Sequence, residues 1–68
     1  MNFRKHIIND SNNIKSALEL LSSVGLDTIL FVINEKNKLI GSISDGDIRR
    51  GLLKGFSLDD KVTQIINS

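Results

Sequence analysis

The chain has no cysteine, no proline, no tryptophan and no tyrosine, and it holds a single histidine among its 68 residues. Without cysteine there are neither disulfides nor thiolate metal sites. His6 alone leaves almost no basis for an imidazole site either. No charge of one sign dominates: nine basic residues face eight acidic ones, for a net charge of +1. Such a balance gives no global field to hold nucleic acid or an anionic membrane. Long apolar runs are missing too. The longest, Ile29-Leu30-Phe31-Val32-Ile33, is far short of the roughly 20 residues a spanning helix needs. Met1 to His6 carries a little positive charge but no apolar h-region and no small-residue cleavage site. A cytoplasmic location is therefore the default expectation.

What is present describes an ordinary globular interior, 40% hydrophobic and 25% charged. The length allows one domain, and a domain this small buries only about 60% of the surface its unfolded chain exposes. Below roughly 70–80 residues one core rarely supplies more than about 3–5 kcal/mol. With disulfides and metals set aside, association with another chain or unit is the remaining means of stabilisation.

The clearest period is Ile14, Ala17, Leu18, Leu21 and Val24, spaced by three and four, which predicts an amphipathic helix over 13–24. The polar cluster Asn9 to Asn13 precedes it as a loop; Asn12 or Asn13 can cap its start and Gly25 can follow its end. Thr28 to Ile33 and Leu39 to Ser44 are expected strands. The polar turn Asn34 to Lys38 joins them into an antiparallel hairpin. Gly41, inside the second of these strands, marks either a bulge or a close approach to the backbone, the bulge being the commoner case. A second helix is expected after Ser44, with Ile48 and Leu52 on one face and Gly55 at its end. Ser57-Leu58-Asp59-Asp60 resembles a further helix start, and Val62, Ile65 and Ile66 fall at helical spacing. If Ile7-Ile8 is a strand parallel to 28–33, the order is βαββα, a two-layer α+β arrangement.

Catalytic chemistry finds little support. There is no cysteine, and one histidine near a terminus cannot assemble the usual nucleophile–base pairs. Asp45 and Asp47 do not make a calcium loop, because Ile48, Arg49 and Arg50 stand where oxygen ligands are required. Glu19 and Glu35 read as solvated surface. The basic residues Arg4, Lys5, Lys36, Lys38, Arg49 and Arg50 are scattered, and the three phenylalanines form no stacking platform for nucleic acid. No catalytic residue, metal or required cofactor is assigned.

The informative constellation is Gly41-Ser42-Ile43-Ser44-Asp45-Gly46-Asp47-Ile48-Arg49-Arg50. Ser44-x-x-Asp47 has the form of a capping box. The same geometry suits an anion at a helix N-terminus. It also places Asp47 to accept from a vicinal diol such as a ribose, with Arg49 or Arg50 available to pair with a phosphate. The residues alone support capping and ligand binding equally.

These residues resemble the CBS domain, the βαββα unit of nucleotide-sensing regulatory modules. The likeness runs from Ile7-Ile8 through Asn13 to Leu18 and strand 28–33. It is most specific at Lys38 to Ile48, with a glycine in the third strand, then Ser or Thr, two variable residues and an aspartate. Ser44 to Gly55 is similar to CBS domains fused ahead of bacterial sugar-nucleotidyltransferases. The resemblance implies an α+β fold with a small three-stranded sheet and two helices on one face. It implies a regulatory binding unit, half of a Bateman module, that pairs with a second CBS domain or with itself as a homodimer. It implies adenosine compounds (AMP, ADP, ATP or S-adenosylmethionine) as ligands. By matching position, Asp47 would hold the ribose hydroxyls, Ser44 would sit near ribose or phosphate, and Ile8 and Asn9 would lie against the base. Arg49 and Arg50 fall where a phosphate-facing residue stands in many members. Many CBS units bind nothing, so a ligand-free dimerisation module is the alternative. Only one copy is present, and Val62 to Ile66 resembles the lead into a second, so a fragment of a longer protein is expected.

Overall fold

The computed structural model describes residues 3–25 and 27–67. A 3-10 turn over Phe3–His6 runs into strand β1 (Ile7–Asn9), helix α1 (Ile14–Val24), strands β2 (Ile29–Ile33) and β3 (Leu39–Ser44), helix α2 (Asp45–Leu53) and a 3-10 turn at Val62–Gln64. The sheet order is β1-β2-β3, with β1 parallel and β3 antiparallel to the central β2. This is the expected βαββα order, with α1 as the crossover that a parallel strand pair requires.

Each boundary has a local cause. Asn13, not Asn12, caps α1: its side chain accepts from the Ser16 amide at 2.9 Å. Gly25 ends the helix at φ +124°, in the half of conformational space that side chains disfavour. Ser44 is at once the last residue of β3 and the N-cap of α2, so strand and helix meet without a loop. Gly41 meets both expectations placed on it. The ladder slips beside it, where Val32 pairs with Gly41 and Ile33 with Leu39, and a Cβ there would lie 3.0 Å from the Asn67 carbonyl oxygen.

Alternation along the strands divides the apolar residues between two faces. Ile8, Leu30, Val32 and Ile43 point to the helices and join Ile14, Ala17, Leu21, Ile48 and Val62 in one buried core. Among the described residues no element covers the opposite face of the sheet. Ile7, Ile29 and Leu39 there are 36%, 41% and 64% exposed. Phe31 and Ile33 lie between them, half-buried.

The segment after α2 departs from the expected helical piece. Ser57 to Asp60 closes into a turn, with the Ser57 amide donating to the Asp60 carboxylate at 2.7 Å. Only Val62–Gln64 winds further. What fixes this strap is tertiary contact. Its carbonyls accept from the first turn of α1, Ile14 N–H to Asp60 at 2.8 Å and Lys15 N–H to Leu58 at 2.9 Å. They thereby satisfy two amides that a helix N-terminus leaves without partners. Asn67 then pairs with Ser42 through two backbone bonds of 2.9 and 3.0 Å at the outer edge of β3.

Candidate functional site

Two elements build the site: the end of β3, which delivers Ser44, and the first two turns of α2, which carry Asp45 to Arg50. The capping box is complete. The Ser44 hydroxyl accepts from the Asp47 amide at 3.2 Å, and the Asp47 Oδ2 accepts from the Ser44 amide at 2.8 Å and from its hydroxyl at 3.0 Å. Asp47 Oδ1 accepts from Arg50 Nη2 at 2.6 Å. A Cβ on Gly46 would lie 3.1 Å from Arg50 Nη1, so the bare glycine lets the guanidinium lie across the first turn.

The Asp47 side chain is only 12% exposed. Burial works against its ionised form, but the Ser44 amide, the Arg50 guanidinium and the Ser44 hydroxyl outweigh it and hold the carboxyl below the usual aspartate value. A depressed folded value means that the stability contributed by this carboxylate is fully present above its ordinary value of 3.8. It is lost as the pH falls through the lower folded value. The Asp47→Asn variant should therefore lose less stability than the parent as the pH falls from above 3.8 through the lower folded value, measured as urea midpoints across pH.

Of the residues singled out in the sequence, the structure brings Ser44, Asp47 and Arg50 together and sets the others apart. Arg49 pairs with Asp45 at 2.6 Å and is 73% exposed. It has no place in the cleft beside Asp47. Ile8 buries its side chain in the core, leaving only backbone for a ligand. The Asn9 carboxamide oxygen accepts from the Ser11 amide and hydroxyl in a local turn. Asn9 stands level with Ile33 of β2, whereas Ser44 stands level with Ile29. Strand spacing puts them roughly 10 Å apart across the sheet and about 13 Å apart along it. Within one chain, the β1 end and the α2 start cannot touch the same small ligand moiety.

Along α2 from Asp47 runs a cleft of about 330 Å³, walled on one side by Asp47, Arg50, Gly51 and Lys54 and on the other by Phe56 and Gln64 to Asn67. Lys54, Phe56, Gln64 and Asn67 were not anticipated. Lys54 had a readable signal, since it falls four residues after Arg50 and seven after Asp47 on one helix face. The strap residues had none, because docking alone places them. A second hollow of about 430 Å³, largely apolar, lies on the open sheet face between Ile29, Phe31, Leu39, Ile40 and Ser42.

The family profile described as "CBS domain" matches residues 4–54. The chain belongs to the CBS domain family. An uncharacterized protein of Helicobacter pylori strain J99 is 45% identical to this CBS domain over 56 residues, 82% of the chain but 17% of that protein. This CBS domain thus spans about a sixth of the relative's length. Among solved structures, a CBS domain protein from Pyrobaculum aerophilum complexed with AMP superposes with a TM-score of 0.81 at 19% identity, over 91% of this chain and 48% of that one. Listeria monocytogenes CbpB in complex with c-di-AMP superposes with a TM-score of 0.76 at 26% identity, over 91% and 50%. The first likeness establishes the fold alone. In both, this CBS domain matches about half of the solved chain.

Proposed function

We propose that this CBS domain is a regulatory unit that binds an adenosine nucleotide and pairs through the open face of its sheet with a second CBS unit or a second copy of itself. The observation that carries the reading is the Ser44–Asp47 pair: an ionised, well-oriented carboxylate at a strand-to-helix junction, suited to accept from a ribose diol. The family assignment and the c-di-AMP carried by the Listeria relative support an adenosine ligand. Pairing is supported by the uncovered Ile7, Ile29, Phe31 and Leu39 face and by the two-to-one length ratio against the solved chains. It also resolves the separation of the sequence-predicted residues. Asn9 and Ser44 sit at register positions on that same open face, so a facing unit would bring its own β1 end toward the Asp47 of this chain. The ligand set is AMP, ADP, ATP or S-adenosylmethionine, each of which carries a free ribose diol, and no cofactor is required. The regulated partner is an attached enzyme in a cytoplasmic setting, with a sugar-phosphate nucleotidyltransferase as the specific candidate.

Heat unfolding with each ligand tests the binding claim. A ligand present at 100 times its dissociation constant should add about 2.7 kcal/mol, and Asp47→Ala should remove that gain. Midpoints unmoved by every adenosine compound would leave a ligand-free pairing module. Sedimentation tests pairing separately: a dimer is expected, and Ile29→Asp should dissociate it by placing a charge on the open face. A stable monomer at millimolar chain concentration would rule self-pairing out and leave only a different CBS unit as the partner.

A further inference from the structure

Arg50 is already committed in the free chain. Its guanidinium lies 2.6 Å from Asp47 Oδ1, and Gly46 leaves room for it to rest there. Arg49 is committed to Asp45 and stands outside the cleft. Lys54 is different. It lines the same cleft as Asp47, is exposed, and among the described residues its ammonium has no ion-pair or hydrogen-bond partner. It stands two helical turns from Asp47. A ribose held at the carboxylate therefore leaves its 5′ substituent free to run along the helix toward the ammonium. The opposite wall contributes Phe56, Ile65 and Ile66 as apolar surface and Gln64 as a neutral polar group, and among the described residues that line the cleft no acidic one faces Lys54.

Resting on the reading of Asp47 as a diol acceptor, we propose that Lys54 is the residue that selects the ligand's charge. The cleft takes a nucleoside carrying a 5′-phosphate and discriminates against an uncharged nucleoside or a sulfonium-bearing one. The two arginines expected to meet the phosphate neutralise Asp45 and Asp47 instead, so Lys54 supplies the uncompensated charge. An ordinary structural role for Lys54, a cation favourable at a helix C-terminus, predicts a small change in stability on substitution and no change in ligand preference.

Calorimetric titration of the full chain with AMP, adenosine and S-adenosylmethionine separates these cases. AMP is expected to bind at least tenfold more tightly than adenosine and more tightly still than S-adenosylmethionine. Lys54→Gln should weaken AMP at least fivefold more than adenosine, and Lys54→Arg should restore the preference. Adenosine binding as tightly as AMP, or Lys54→Gln weakening both alike, would overturn the role of Lys54 and leave the diol site standing. If none of the three binds, the diol site itself falls and the selectivity with it. Circular dichroism of Lys54→Gln should match the parent, which excludes misfolding as the cause of a lost preference.

Discussion

Truncation after Phe56 should leave a chain without a cooperative unfolding transition. The family profile ends at residue 54, which invites the inference that the remainder is dispensable, but the packing contradicts it. Val62 is fully buried at the centre of the core, a position worth about 1.5–3 kcal/mol of transfer free energy. Ile65 and Ile66 pack against the same cluster. Asp60 and Leu58 satisfy two amides of the first turn of α1, and Asn67 pairs the edge of β3. A domain of this size has a net stability of roughly 3–5 kcal/mol, so removing Val62 together with its neighbours takes most or all of it. Thermal melts followed by circular dichroism should show a broad, non-cooperative loss of signal. A sharp transition within a few degrees of the parent would show that residues 4–54 suffice.

Gly51→Ala should destabilise the protein, whereas Gly46→Ala, in the same helix, should not. Helix propensity favours both changes by about 0.8–1 kcal/mol. At Gly51 the new Cβ would lie 2.5 Å from Ile65 Cγ2 and 3.5 Å from Ile65 Cβ. That methyl branches directly from the Ile65 Cβ and cannot swing aside without moving the strap. Overpacking of this kind costs typically about 1–3 kcal/mol, which outweighs the propensity gain. At Gly46 the nearest atom is Arg50 Nη1 at 3.1 Å, the far end of a flexible side chain that yields cheaply. Urea midpoints should therefore move in opposite directions, and Gly51→Val should move further than Gly51→Ala. Equal shifts in the two alanine variants would mean that the strap is not packed on α2.

Where local signals agreed with tertiary placement, the chain was legible before its structure. Ile14, Ala17 and Leu21 read as the buried face of a helix and are fully buried. Leu39 to Ser44 read as a strand and is one. Ser44 and Asp47 read as a capping box, and both of its bonds are made. The strap is not legible in this way: Val62, Ile65 and Ile66 have helical spacing, yet of the three Val62 alone is fully buried. Its path is set by Gly51, Ser42 and the α1 amides, all distant in sequence. The site was legible in part for the same reason. Ser44 and Asp47 are linked by local geometry. Arg49 and Arg50, expected near a phosphate, also pair with Asp45 and Asp47, three or four residues away on the same helix. Gly51 marks the contact that brings the strap against α2, and no residue next to it in sequence signals that contact.

The central claim is that the Ser44–Asp47 capping box also receives the diol of an adenosine nucleotide. The most direct measurement is an amide 1H–15N spectrum of the chain titrated with AMP, which carries a free ribose diol. AMP should produce saturable shifts centred on Ser44 to Gly51 and reaching Lys54, and Asp47→Ala should abolish them. Amides from Ser44 to Gly51 that stay in place at millimolar nucleotide, or shifts confined to other parts of the chain, would contradict it.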